Sequence, residues 1–180
     1  MKPNLESPFL IAPVSGYSGA IGHLVSMMSY TRRTTLAEAE GLSTSHLDFL
    51  MDDTANSIGM LLEHIAGVEE WYQESTFGWE FSGEELERRE LGGNLGEEAR
   101  GRIRGSGLTH YLERLVSVRD RTLRELARRD DAWLFEEDHW NGRPSNNYFK
   151  WFHVFEDELN HRGQIRLIRK RLPEPVSSRE

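Results

Sequence analysis

Apolar residues recur at helical spacing in four stretches of the 180-residue chain. In the first, roughly 14–40, Ile21, Leu24, Val25 and Met28 follow the i, i+3, i+4, i+7 rule of one helix face, and Gly41 supplies a stop. The following GLSTSHLDFLMDD reads as a connection, because its Ser, Thr and Asp side chains compete for backbone hydrogen bonds. In the second, about 56–76, Ile58, Leu61, Leu62, Ile65, Val68 and Tyr72 share a side, and Thr54 or Asn56 offers a cap. The third, about 107–130, sets Leu108, Tyr111, Leu112, Leu115, Val118 and Leu126 against a solvated face of Glu113, Arg114, Arg121, Arg124, Arg128 and Arg129. The fourth, about 146–171, opens after Ser145 or Asn146 and is closed by Pro173 and Pro175. Ahead of it, DHWNGRPSN reads as a loop, and no stretch alternates as a strand does.

Between the second and third stretches lie eight glycines from Gly78 to Gly107 and many charges, with one short helix expected around Glu84–Glu90. A crossing of this length either spans the bundle or forms part of a site. These elements predict an all-α fold, a four-helix bundle with a long crossover between helices 2 and 3, in one domain spanning 1–180.

The fourth stretch carries chemistry. In HVFEDELNHRGQ, His153, Asp157 and His161 are spaced four and four, so they stack along one helix face. Asp157 and His161 can share one metal ion, and a third ligand must come from another helix. His64, beside the apolar stripe of the second helix, is the candidate. In projection, Tyr148, Phe152, Phe155 and Leu159 form one side, with Asp157 and His161 nearly opposite, which on its own would make the His–Asp face wet. Val154, Ile165, Ile168 and Leu172, however, lie near His161. Apolar residues on two sides mark a central helix with a polar patch between them.

Composition narrows this. There are seven histidines and no cysteine, so a metal site must use nitrogen and oxygen, and no disulfide or cysteine nucleophile exists. The net charge of −8 argues against nucleic acid as a partner. No apolar run of membrane-spanning length and no basic-then-apolar leader occurs, which leads to the expectation of a cytoplasmic protein. No phosphate-loop or serine-nucleophile motif occurs either.

Two blocks, LDFLMDDTANSIGMLLEHIAGVEEWY (47–72) and NNYFKWFHVFEDELNHRGQIRLIRKRL (146–172), resemble the DinB-like (YfiT-like) metalloprotein superfamily. By that resemblance, His64, which ends NSIGMLLEH, is the first metal ligand, and His161, followed by Arg162-Gly163-Gln164, is another. The position four before the latter is usually His, or Glu in relatives similar to mycothiol-dependent maleylpyruvate isomerases. Asp157 departs from both and is one methylene shorter than Glu. His153 is either an alternative ligand or a support behind the ligands.

The resemblance further implies a divalent metal, zinc first, with nickel, iron or manganese compatible with the ligand type. It implies S-transfer from a low-molecular-weight thiol (bacillithiol, mycothiol or glutathione) to an electrophile, and a homodimer. Trp71, Trp79 and Trp140 are candidate pocket walls, and Arg143 a candidate partner for a thiol carboxylate. The alternatives are a stress-related metal-binding bundle acting by association and a metal-assisted hydrolase. No catalytic residue is assigned.

Overall fold

The computed structural model describes residues 7 and 9–173. Pro175 and the first six residues of the chain, on which the sequence reading also drew, lie outside the described residues.

Four long helices carry the architecture: α1 (Gly19–Ala39), α3 (Ile58–Phe77), α6 (Leu108–Leu126) and α8 (Asn147–Arg169). Shorter helices sit in the connections: α2 (Thr44–Leu47), α4 (Gly83–Gly93), α5 (Glu97–Arg102) and α7 (Asp131–Leu134). The four expected helices are all present, with ends shifted by up to five residues. The crossing holds two short helices instead of one.

Local chemistry sets the ends. Ser57, not Thr54 or Asn56, caps α3, its hydroxyl accepting the Met60 amide at 3.2 Å, and left-handed Gly78 (φ 71°) closes it. Asn146 caps α8 through the Phe149 amide at 2.8 Å. The start of α1 is capped from far along the chain: Asp131 of α7 accepts the Ser18 hydroxyl at 2.6 Å and the Ala20 amide at 3.0 Å.

The segment DHWNGRPSN is not a loop. Glu137–Trp140 (β1) and Arg143–Asn146 (β2) pair antiparallel around Asn141 (φ 50°) and Gly142 (φ 73°). Positive φ at both central residues is what a two-residue hairpin requires, and Asn-Gly is the dipeptide that supplies it most easily. Asn141-Gly142 was therefore the sequence signal for the hairpin.

The core falls into two apolar clusters. One contains Leu61, Leu62, Tyr111, Leu115, Ile165 and Ile168; the other contains Leu24, Met28, Tyr72, Leu126, Trp151 and Val154. The chain passes from the second cluster to the first along α1 and α8, and from the first to the second along α3 and α6. So α3 and α6 run parallel, and the crossing between them must return over the length of the bundle.

Between the clusters lies a buried layer of charge, with one residue from each long helix. Arg32 Nε (α1) donates to Glu158 Oε1 (α8) at 2.9 Å, and its Nη2 to Glu69 Oε2 (α3) at 3.0 Å. Arg119 (α6) donates to Glu69 Oε1 at 2.8 Å and to Glu158 Oε2 at 3.3 Å. The remaining guanidinium donors reach the carbonyls of Leu115 and Met28, and the Thr122 hydroxyl donates to Glu69 at 2.6 Å. Burial alone would raise the Glu69 carboxyl, but Arg119 and Arg32 outweigh it and hold it below its ordinary value.

A second buried pairing corrects the sequence reading of α6. Arg114 was expected on the solvated face, yet its side chain is 10% exposed and binds Glu63 and Glu70 of α3.

Removing one partner of a buried ion pair leaves an uncompensated charge. Arg119→Met is expected to lower the unfolding free energy by about 3–5 kcal/mol, read by urea denaturation. The stability tied to Glu69 is present above the unfolded carboxylate value of about 4.3 and lost as pH falls through the depressed folded value. The acid limb of the stability–pH curve is therefore expected to be shallower in Arg119→Met than in the parent.

Candidate metal centre

His64 lies on α3 and Asp157 and His161 lie on α8, and the three side chains meet at the seam between these helices. One ligand-capable atom from each lies within 4.8 Å of the others. Asp157 Oδ1 is 3.3 Å from His161 Nε2, and Asp157 Oδ2 is 3.8 Å from His64 Nε2. The two imidazoles stand edge to face, 4.6 Å between centroids.

The His–Asp face of α8 is thus turned inward. His161 is 8% exposed, whereas Phe152, on the stripe opposite, is 44% exposed. Phe155, on the same stripe as Phe152, is buried at 6% exposure, so α8 is covered on both of its apolar sides.

Glycines let the crossing close over this seam. A Cβ on Gly67 of α3 would stand 2.6 Å from the Gly93 amide nitrogen, and one on Gly92 would stand 2.9 Å from the Glu63 carbonyl. Neither fits, so the α4 backbone lies directly on α3. This contact brings the Gly92 carbonyl 2.9 Å from His64 Nδ1. A carbonyl only accepts, so Nδ1 carries the proton and Nε2 presents its lone pair toward Asp157.

The electrostatics suit a cation. Asp157 Oδ2 is buried and has no hydrogen-bond partner among the described residues, and neither does His161 Nδ1. Burial would raise the Asp157 carboxyl, but contact with His161 and the charges of His161, His64 and His153 hold it below the usual range. Burial, and then the neighbouring His161, lower His64 against the opposing pull of Asp157 and Gly92, so the imidazole stays neutral at neutral pH. Ligands at about 2.0–2.2 Å from one ion lie roughly 3–4 Å apart, and the 3.3 and 3.8 Å separations match that spacing. Two imidazoles and a carboxylate whose Oδ2 has no hydrogen-bond partner among the described residues are a donor set that fits a divalent ion, and Asp157 comes within reach of both imidazoles despite its short side chain.

Asp157 also forms part of the wall of a cavity of about 780 Å³, enclosed by α3, α8, the α4–α5 crossing and the turn of the hairpin. The crossing therefore spans the bundle and also walls a cavity.

His153 lines the cavity but lies outside the three-atom group, with Nδ1 2.9 Å from Glu156 Oε2. Trp71 and Trp140 line it too. Trp79 does not: it lies under the Arg121 guanidinium at 4.7 Å. Arg143 sits exposed on β2, in a separate depression beside Phe149. Tyr72, unremarked in the sequence except as core, accepts the Trp140 indole N–H at 3.0 Å. Burial, partly offset by that hydrogen bond, pushes its hydroxyl up to about 12, so it stays protonated. The Gly92 carbonyl was also missed; the Gly92-Gly93 pair facing Gly67 was its only trace in the sequence.

Comparison with known proteins agrees with this architecture. A DinB-like protein from Bacillus cereus ATCC 10987 superposes with a TM-score of 0.63 at 16% identity, over 83% of this chain and 90% of that one, which establishes the shared fold. No curated protein matches the sequence. The profile of the mycothiol-S-transferase family matches residues 23–173, a span that includes α3, the crossing and α8 with all three converging side chains. The chain belongs to the mycothiol-S-transferase family of DinB-like proteins.

Proposed function

We propose that the protein is a divalent-metal-dependent S-transferase whose donor is a low-molecular-weight thiol. One observation carries this reading: His64, Asp157 and His161 converge, with a buried carboxylate oxygen left unpaired, and Asp157 also lines an open cavity. A structural metal site is closed by protein ligands, whereas three ligands beside a cavity leave room for a substrate. Family membership adds the reaction class. A bundle acting by association alone needs no such cavity.

When bound, a divalent ion, zinc first, supplies a positive charge that lowers the pKa of a thiol and holds it as the thiolate. The chain does the rest. The Gly92 carbonyl holds His64 in the tautomer with a bare Nε2. Glu156 does the same for His153: with Nδ1–H donated to Glu156, the Nε2 of this cavity-lining imidazole is left unprotonated to take the thiol proton. Tyr72, protonated and bonded to Trp140, braces the aromatic wall and has no proton to exchange near neutral pH.

The metal-free protein is expected to take up one zinc ion by calorimetric titration and to gain mycothiol-conjugating activity with it. His161→Ala should lose both; unchanged activity in that variant would remove the proposal. Gly67→Ala pushes the Gly92 carbonyl from His64, and the loss of such a supporting partner predicts zinc affinity lowered about 10–100-fold, measured by competition with a chelating dye.

A further inference from the structure

We infer that the cavity beside the metal centre takes a flat aromatic acceptor bearing no carboxylate, held against Trp71 and Trp140. The inference rests on the transferase reading and adds the substrate class.

The two walls of the cavity differ. One is aromatic. Trp71 stands edge-on to Tyr72 at 4.8 Å between centroids, Tyr72 holds Trp140 through its hydroxyl at 3.0 Å, and Trp140 meets His153 at 5.3 Å. These contacts fix the ring planes before anything binds. Trp71 lines the cavity and remains 43% exposed, so its large rigid ring is not covered by the protein. Ring-to-ring contact with a planar ligand is the interaction such a surface offers.

The other wall is acidic. Glu87, Glu90, Glu97 and Glu98 line it, with Arg89 and Arg102 as the cations. Both arginines are engaged: Arg102 by Glu87 and by Glu98 at 3.1 Å, Arg89 by Glu74 at 3.3 Å and Glu90 at 3.9 Å. With Asp157, five carboxylates face two guanidiniums, and a divalent ion still leaves an excess of negative charge. An anionic acceptor meets repulsion and finds no unengaged lining cation, whereas a neutral ring meets neither obstacle. At about 780 Å³ the space suits a small molecule beside the thiol. With an aryl chloride, the thiolate sulfur forms the S–C bond, chloride leaves with the bonding pair, and the thiol proton passes to His153 or solvent, with no net redox change.

The test uses zinc-loaded protein with saturating mycothiol and three acceptors, each corrected for its uncatalysed rate: 1-chloro-2,4-dinitrobenzene, its carboxylated analogue 4-chloro-3,5-dinitrobenzoate, and ring-less iodoacetamide. The neutral aryl chloride is expected to be preferred over the benzoate by about tenfold. Trp71→Ala should raise KM for the aryl chloride about fivefold, leave iodoacetamide and zinc affinity unchanged, and be largely rescued by Trp71→Phe.

Equilibrium dialysis with unreactive 1,3-dinitrobenzene and 3,5-dinitrobenzoate reads the same preference without turnover. Equal or tighter handling of the benzoates, or an equal effect of Trp71→Ala on iodoacetamide, overturns the inference while the transferase reading stands. Zinc uptake and dinitrobenzene binding without transfer to any acceptor overturns the transferase reading and leaves the aromatic site.

Discussion

Two arginines and two glutamates, closed off from water at mid-bundle, set the relative positions of the four long helices. Arg32, Glu69, Arg119 and Glu158 each come from a different helix, and each carboxylate is bound by both guanidiniums. Desolvating four charges gains little net stability over a well-packed apolar layer. What it imposes is register. Sliding any one helix by a turn would strand a buried charge, and nothing nearby could neutralise it. The candidate metal centre sits against this layer: Asp157 precedes Glu158 on α8, and His64 lies five residues before Glu69 on α3. The three side chains converge because the helices carrying them have no freedom to slip.

Topology supplies the rest of the site. Parallel α3 and α6 force a connection that travels the length of the bundle, and the chain uses that length as a wall. Gly67 and Gly92 have no room for a Cβ where α4 meets α3, so backbone touches backbone there and a carbonyl arrives at His64. A connection required only by chain direction thereby sets a tautomer and roofs a cavity.

The parts of this arrangement that obey a single period were legible in the sequence. The four helices follow from apolar spacing, and i, i+4 placement puts Asp157 and His161 together before any contact is known. What escaped were features depending on a partner remote in sequence. Glu69 lies on the apolar stripe four residues after Ile65, and Arg32 four after Met28, so each was a charge in an apolar position; only the fold shows that they neutralise one another. Arg114 looked solvated because its neighbours along α6 are, and only α3 explains its burial. The projection of α8 identified a helix with apolar residues on two sides, and Phe155, Val154, Ile165 and Ile168 are all buried; periodicity could not say which neighbouring helix each side meets.

The charge balance around the centre follows from the same construction. The mid-bundle layer is internally neutral and adds little net charge to the field at His64 and His161. Those imidazoles contribute no charge when deprotonated, and Asp157 contributes one negative charge. A divalent ion held by this donor set therefore retains one positive charge, matched to an incoming thiolate. A second carboxylate among the ligands would cancel that charge and weaken the pull on the sulfur. The chain has no cysteine, so no thiolate of its own competes for the position. On the proposed reading the sulfur arrives with the substrate, through a cavity lined by Glu87, Glu90, Glu97 and Glu98.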